Sequence, residues 1–144
     1  MIRKYKAEDT IALEAVWRAA TQIAHPFLNE VFVEQEADML RRVYLPHSET
    51  WVVEYEGSPV GFIALTGDEI GGLFLDPAYH GKGLGRAMVD HAIALKGSMW
   101  LEVFEKNLAS RRFYDSYGFV EISRSIHDAT GEAMLKVVFT EPIE

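Results

Sequence analysis

Asp76 to Ala92 reads DPAYHGKGLGRAMVDHA, with Gly81, Gly83 and Gly85 alternating with other residues directly before a helical pattern. Glycine lets the backbone enter conformations closed to other residues and lets a ligand come close to the main chain. The first amide N–H groups of a helix lack intrahelical partners and sit at the positive end of its dipole, so they can bind phosphate oxygens. From His80 to Arg86 the loop carries two cations, Lys82 and Arg86, and no acid. The chemistry this arrangement serves is the holding of a phosphate or pyrophosphate. A tight turn before an ordinary helix is the plainer alternative.

Spacing narrows the phosphate ligand. A Walker A loop needs Gly-x-x-x-x-Gly-Lys-Ser/Thr, whereas Lys82 lies between the first two glycines and no Ser or Thr stands where magnesium would be held. A dinucleotide fingerprint needs Gly-x-Gly-x-x-Gly straight off the first strand of its domain and an acid ~20 residues on. Glu102 is placed for that acid, but the glycines here run Gly-x-Gly-x-Gly and the unit lies mid-chain. A dinucleotide-dependent oxidoreductase is therefore the weaker reading.

The elements that must position this loop can be read from composition and period. The chain has 144 residues, 49% of them hydrophobic and 25% charged, which is the balance of one folded domain spanning 1–144. A net charge of −8 argues against a nucleic-acid surface, which needs clustered cations. No apolar run approaches the ~18 residues of a membrane span, and MIRKYKAEDT turns polar too early for a signal peptide. Without cysteine there are no disulfides or thiolate sites, and a cytoplasmic setting is expected. His25, His47, His80, His91 and His127 show no paired metal-ligand spacing, so no metal is expected.

Ile2 to Tyr5 is a short strand candidate, and Asp9 or Thr10 can cap a helix running to about Ala24. Its apolar positions Ile11, Leu13, Val16, Trp17, Ala20 and Ile23 fall near one face at helical spacing, and His25-Pro26 stops it. A second helix spans about Val33 to Tyr44. TWVVEY and PVGFIALT then form a hairpin across Glu56-Gly57-Ser58, followed by EIGGLFLD as a strand. After the loop come a helix over Leu84 to Leu95, the strand MWLEVF, a short helix in LASRRFYDSYGF, and the strands FVEISRSI and AMLKVVFT. The order β-α-α-β-β-β-α-β-α-β-β implies an α/β fold, a mixed sheet with helices on its faces.

In that setting the chain resembles the GCN5-related N-acetyltransferase superfamily. His80-Gly81-Lys82-Gly83-Leu84-Gly85 is similar to its Gln/Arg-x-x-Gly-x-Gly/Ala loop, departing at His80. Asn107-Leu108-Ala109-Ser110-Arg111-Arg112-Phe113-Tyr114-Asp115-Ser116-Tyr117-Gly118-Phe119 is similar to its Asn-x-x-Ala-x-x-x-Tyr-x-x-x-Gly-Phe segment. HPFL and LEVFEKN look like bacterial members regarded as protein-lysine acetyltransferases. The likeness runs from Ile2 to about Thr140. It implies a mostly antiparallel mixed sheet and direct acetyl transfer from acetyl-CoA to a primary amine, on a small molecule or a protein lysine. A non-catalytic acyl-CoA-binding regulatory module is the alternative, and retention of Tyr114 speaks against it.

Residue by residue, the resemblance implies that the backbone of Leu73, Phe74 and Leu75 pairs with the pantetheine arm and supplies an oxyanion donor. The loop from His80 through Gly81, Lys82, Gly83, Leu84 and Gly85 to Arg86 holds the pyrophosphate, Asn107 contacts the arm, and Tyr114 protonates the departing thiolate. The acceptor amine, with an ammonium pKa of ~10.4, must lose a proton before attack. Glu102, inside the apolar MWLEVF strand, is the first candidate base because burial would raise its pKa; Glu69 is the second. His25 and Phe27 are acceptor-side candidates, with Trp17 and Phe32 as further apolar walls. For Glu102 a solvated or paired carboxylate, and for His25 a packing role, are the structural alternatives.

Overall fold

A computed structural model describes residues 1–142; the final two positions of the expected domain lie outside the described residues. Strand β1 (Ile2–Lys4) leads through a 3₁₀ turn into α1 (Thr10–Ala24), and α2 (Glu30–Met39) continues through a π turn, Leu40–Tyr44, into the short α3 (Leu45–His47). Then come β2 (Glu49–Tyr55), β3 (Ser58–Thr66), β4 (Glu69–Leu75), α4 (Leu84–Lys96), β5 (Met99–Phe104), α5 (Leu108–Tyr117), β6 (Val120–Ile126) and β7 (Ala133–Phe139). The seven strands form one sheet in the order β1-β2-β3-β4-β5-β7-β6. Every neighbouring pair is antiparallel except β4–β5. The expected mixed, mostly antiparallel architecture is what the sequence builds.

Alternation along the strands sends successive side chains to opposite faces. Val52 and Phe62 enter one core with Leu13, Trp17, Ala37, Leu40 and Leu45. Val53 and Ile63 enter the other, with Met88, Val89, Ala92 and Tyr114. Thus α1 and α2 cover one face and α4 and α5 the opposite one. Among the described residues no helix is long and apolar enough to cross a membrane.

Two expectations need correction. Ile11 and Ile23 are not on the buried side of α1 but 86% and 67% exposed. The stripe is Leu13, Val16, Trp17 and Thr21, and two residues of helix turn the chain by ~200°, which puts Ile11 and Ile23 on the far side. The second helix begins three residues before Val33, because Asn29 caps it by accepting from the Phe32 N–H at 2.8 Å.

Candidate active site

The site is organised by the one place where the sheet comes apart. Parallel β4 and β5 share a single register pair, Glu69 with Trp100, and beyond it the strands diverge. The β4 edge past Glu69 therefore faces an opening, with main-chain groups free to pair with an extended ligand as an added strand would. Which groups face it follows from the antiparallel ladder. The Asp76 N–H donates to the Val60 carbonyl at 2.8 Å, and in such a ladder alternate residues point toward the same neighbour. Phe74, partner of Phe62, therefore spends its N–H on β3. Leu73 and Leu75 turn theirs toward the opening. Of the three expected main-chain contacts, Phe74 is corrected: its ring packs against Trp17 and Phe62, at centroid distances of 6.4 and 5.4 Å.

The glycine loop lies at the end of β4. Gly81 and Gly83 both have φ +79°, left-handed conformations that side-chain-bearing residues adopt at a cost, and nothing lies within 4 Å of a Cβ built on either. Gly83 is the N-cap of α4, and the first helical bond runs from the Ala87 N–H to its carbonyl at 3.0 Å. The N–H groups of Leu84, Gly85 and Arg86 are consequently left over at the positive end of a 13-residue helix. A Cβ on Gly85 would meet Phe113 at 3.6 Å, an ordinary contact, so packing does not require glycine there. His80 is exposed beside the cradle. The ammonium of Lys82 lies 5.2 Å from the Tyr55 ring centroid and the guanidinium of Arg86 4.8 Å from that of Tyr117. Among the described residues, neither bridges to a carboxylate. Leftover N–H groups beside two cations are the donor set that a pyrophosphate needs.

Helix α5 closes the same face. Phe113 and Tyr117 turn to α4, and Tyr114 is buried against Phe113 and Phe119 at 5.1 and 5.3 Å. Burial raises the Tyr114 phenol well above its ordinary range, so it holds its proton at any physiological pH. Its hydroxyl joins no hydrogen bond among the described residues. A cleft of about 410 Å³ lined by Val103, Leu108, Arg111, Tyr114, Leu135 and Val137 lies on the other flank of α5. Tyr114 is its one residue in common with the expected site, so the cleft is not where the phosphate and thioester groups converge.

The candidate bases occupy the opposite face. Leu101 and Val103 belong to the α4–α5 core, so Glu102 between them points toward α1. It is exposed, which removes the argument from burial, and it stands across from Lys136 on β7. Glu69 precedes inward-facing Ile70 and so shares that face. Its pKa is raised, first by burial and then by the charge of Glu102, with Lys136 opposing and Asp68 adding. The raised pKa moves Glu69 toward the behaviour of a neutral-pH base. Trp100 completes the group, with the Lys136 ammonium 4.2 Å from its ring centroid and its Nε1 donating to Asp68 at 3.1 Å.

Helix α1 spans this opening. Trp17 touches Phe74 of β4, while His25, two turns on, stacks edge-on against Phe104 of β5 at 5.1 Å. Thr21 lies on the same stripe between them, 3% exposed, its hydroxyl without a partner among the described residues. Phe27 joins the ring cluster at 5.3 Å from Phe104, and His127 from the β6–β7 turn approaches Phe104 at 5.4 Å and Phe32 at 5.8 Å. His25 also receives a hydrogen bond from Asn107, 3.0 Å from Nδ2 to Nε2. No local spacing in the sequence announces this pair 82 positions apart, nor the approach of His127 to Phe104 or of Lys136 to Trp100.

The arrangement matches known proteins. Residues 13–119 match the Acetyltransferase (GNAT) family. The chain is 35% identical over 132 residues to the peptidyl-lysine N-acetyltransferase YjaB of Salmonella typhimurium, covering 91% of this chain and 90% of that protein. It is 27% identical over 131 residues to the peptidyl-lysine N-acetyltransferase YiaC of Escherichia coli, covering 90% of each. The solution structure of apo-form YjaB from Escherichia coli superposes with a TM-score of 0.88 at 30% identity, covering 99% of this chain and 98% of that one. With its divided sheet and glycine-capped α4, this chain belongs to the GNAT family of acetyltransferases.

Proposed function

We propose that the protein transfers the acetyl group of acetyl-CoA to a primary amine, with a protein lysine as acceptor. The observation that supports this is the opening between β4 and β5, with the glycine-capped start of α4 and the buried Tyr114 phenol on one face of the sheet and Glu69, its pKa raised, on the other. Acetyl-CoA supplies the activated thioester. Leu84, Gly85 and Arg86 hold the pyrophosphate through their main-chain N–H groups, and Leu75 and Leu73 pair with the extended arm. The Leu73 N–H also stabilises charge gathering on the thioester oxygen. Glu69 takes the proton that the attacking ammonium must lose. Tyr114 donates a hydrogen bond to the departing sulfur, and its proton passes there as the C–S bond breaks. His25 and Phe27 line the entry for the acceptor, whose cationic side chain the acidic face attracts. The alternative non-catalytic module leaves Glu69 and Tyr114 without a task.

The experiment is release of free CoA thiol from acetyl-CoA in the presence of lysine-containing peptides, with acetyl-lysine found by mass spectrometry. Wild-type protein acetylates peptide. No transfer to any peptide or amine, despite acetyl-CoA binding, sinks the enzymatic reading.

Glu69→Gln is expected to lower kcat/KM by ~30-fold at pH 7, short of the ~100-fold common for a lost base because Glu102 beside it can take over. The pH profile gives the sign. A base with a raised pKa loses activity as pH falls through that raised value, so wild type shows an acidic limb displaced upward. Glu102→Gln removes the negative charge that helps raise Glu69, and the limb moves to lower pH. An unmoved limb in both variants assigns the base elsewhere.

Lys82→Ala and Arg86→Ala should each weaken CoA by ~3–10-fold and dephospho-CoA less, as expected for a charge-assisted contact to the ribose phosphate. Equal losses for both ligands, read by calorimetry, place the two cations away from that phosphate.

A further inference from the structure

We propose that His25 is a positioning residue: its Nε2 lone pair holds the Asn107 side-chain amide in the one orientation that leaves a second N–H available to the acetyl-CoA arm. The proposal rests on the acetyl-CoA reading above and adds to it a link between the acceptor-side loop and the cofactor side.

Asn107 is 6% exposed and ends the β5–α5 connection. Its Oδ1 accepts from the Ser110 N–H at 3.2 Å, capping α5, and its Nδ2 donates to His25 Nε2 at 3.0 Å. A primary amide offers two N–H donors and two acceptor lone pairs. One of each is committed here, and both commitments agree on which end of the amide points where. Flipping it would set an NH₂ against the Ser110 N–H, donor against donor. Without His25, only the cap would resist that flip.

His25 suits this task for three reasons. It terminates α1, where its own N–H donates to the Thr21 carbonyl at 2.8 Å. Its ring is clamped edge-on by Phe27 and Phe104 at 5.7 and 5.1 Å. Burial pushes its pKa down to about 4, so at neutral pH the imidazole is uncharged and one ring nitrogen can accept. Because an Asn Nδ2 can only donate, that nitrogen is Nε2 and the proton sits on Nδ1.

Two replacements separate hydrogen bonding from packing. His25→Phe keeps a ring for Phe27 and Phe104 but offers Asn107 no acceptor. His25→Gln gives up the ring and returns an acceptor near the Nε2 position. Titration calorimetry with acetyl-CoA is expected to show ~10-fold weaker binding for His25→Phe and binding within ~3-fold of wild type for His25→Gln, the loss a misoriented buried amide predicts. Wild-type affinity in His25→Phe, or an equal loss in both variants, overturns the proposal. The wild-type ¹⁵N spectrum supplies a test that needs no variant to fold: His25 should be the Nδ1–H tautomer at neutral pH, and a proton on Nε2 overturns the assignment. Wild-type protein that fails to bind acetyl-CoA overturns the functional reading itself; wild type that binds alongside an equally competent His25→Phe overturns only this inference.

Discussion

Gly83→Asp is expected to abolish acetyl-CoA binding, weakening it by more than ~100-fold, or ~2.7 kcal/mol. Two effects add. The residue sits at φ +79°, where a side chain is strained, and the new carboxylate stands beside the α4 N–H groups that would hold pyrophosphate. It would both satisfy those donors itself and repel the ligand. Because nothing lies within 4 Å of the added Cβ, the core is undisturbed and the variant should fold. Gly83→Ala, carrying strain without charge, should lose only ~10-fold. Calorimetry on folded Gly83→Asp that returned wild-type affinity would remove the phosphate role from this loop.

Tyr114→Phe should lower kcat by ~100-fold while acetyl-CoA affinity changes little, the pattern of an interaction made chiefly in the transition state. The ring contacts with Phe113 and Phe119 survive the change. No side-chain hydrogen bond to this hydroxyl is present among the described residues, so thermal stability should hold. That separates catalysis from packing: a tyrosine present only for the core would lose neither turnover nor affinity as Phe. Burial also predicts that no phenolate forms in the assay range, so an alkaline limb in the rate does not arise from Tyr114. Wild-type kcat in the variant, with chemistry shown to be rate-limiting, removes Tyr114 as the proton donor.

Local features carried much of this into the sequence. The β-branched and aromatic runs TWVVEY and PVGFIALT, the stop at His25-Pro26 and the glycines before Leu84 act within a few residues, so they are visible in a linear chain and the structure follows them. The glycine cradle is legible for that reason: positive φ and a free helix start are properties of adjacent residues. Glu102 shows where this stops. An acid amid apolar neighbours looks buried in sequence, yet a strand has two faces, and only the helices packed on each decide which is wet. Glu69, at a strand start that reads as solvated, has its carboxyl pKa raised instead by burial and by Glu102 on the adjoining strand. The bond from Asn107 to His25 and the choice of Leu73 and Leu75 over Phe74 likewise belong to tertiary structure. The sequence alone determined the elements and the anion-binding turn, because these are short-range backbone and periodicity effects. Only the packed sheet decided which carboxylate is exposed, what raises the pKa of Glu69 and which amides face the opening, because strand pairing and helix placement join residues far apart in the chain.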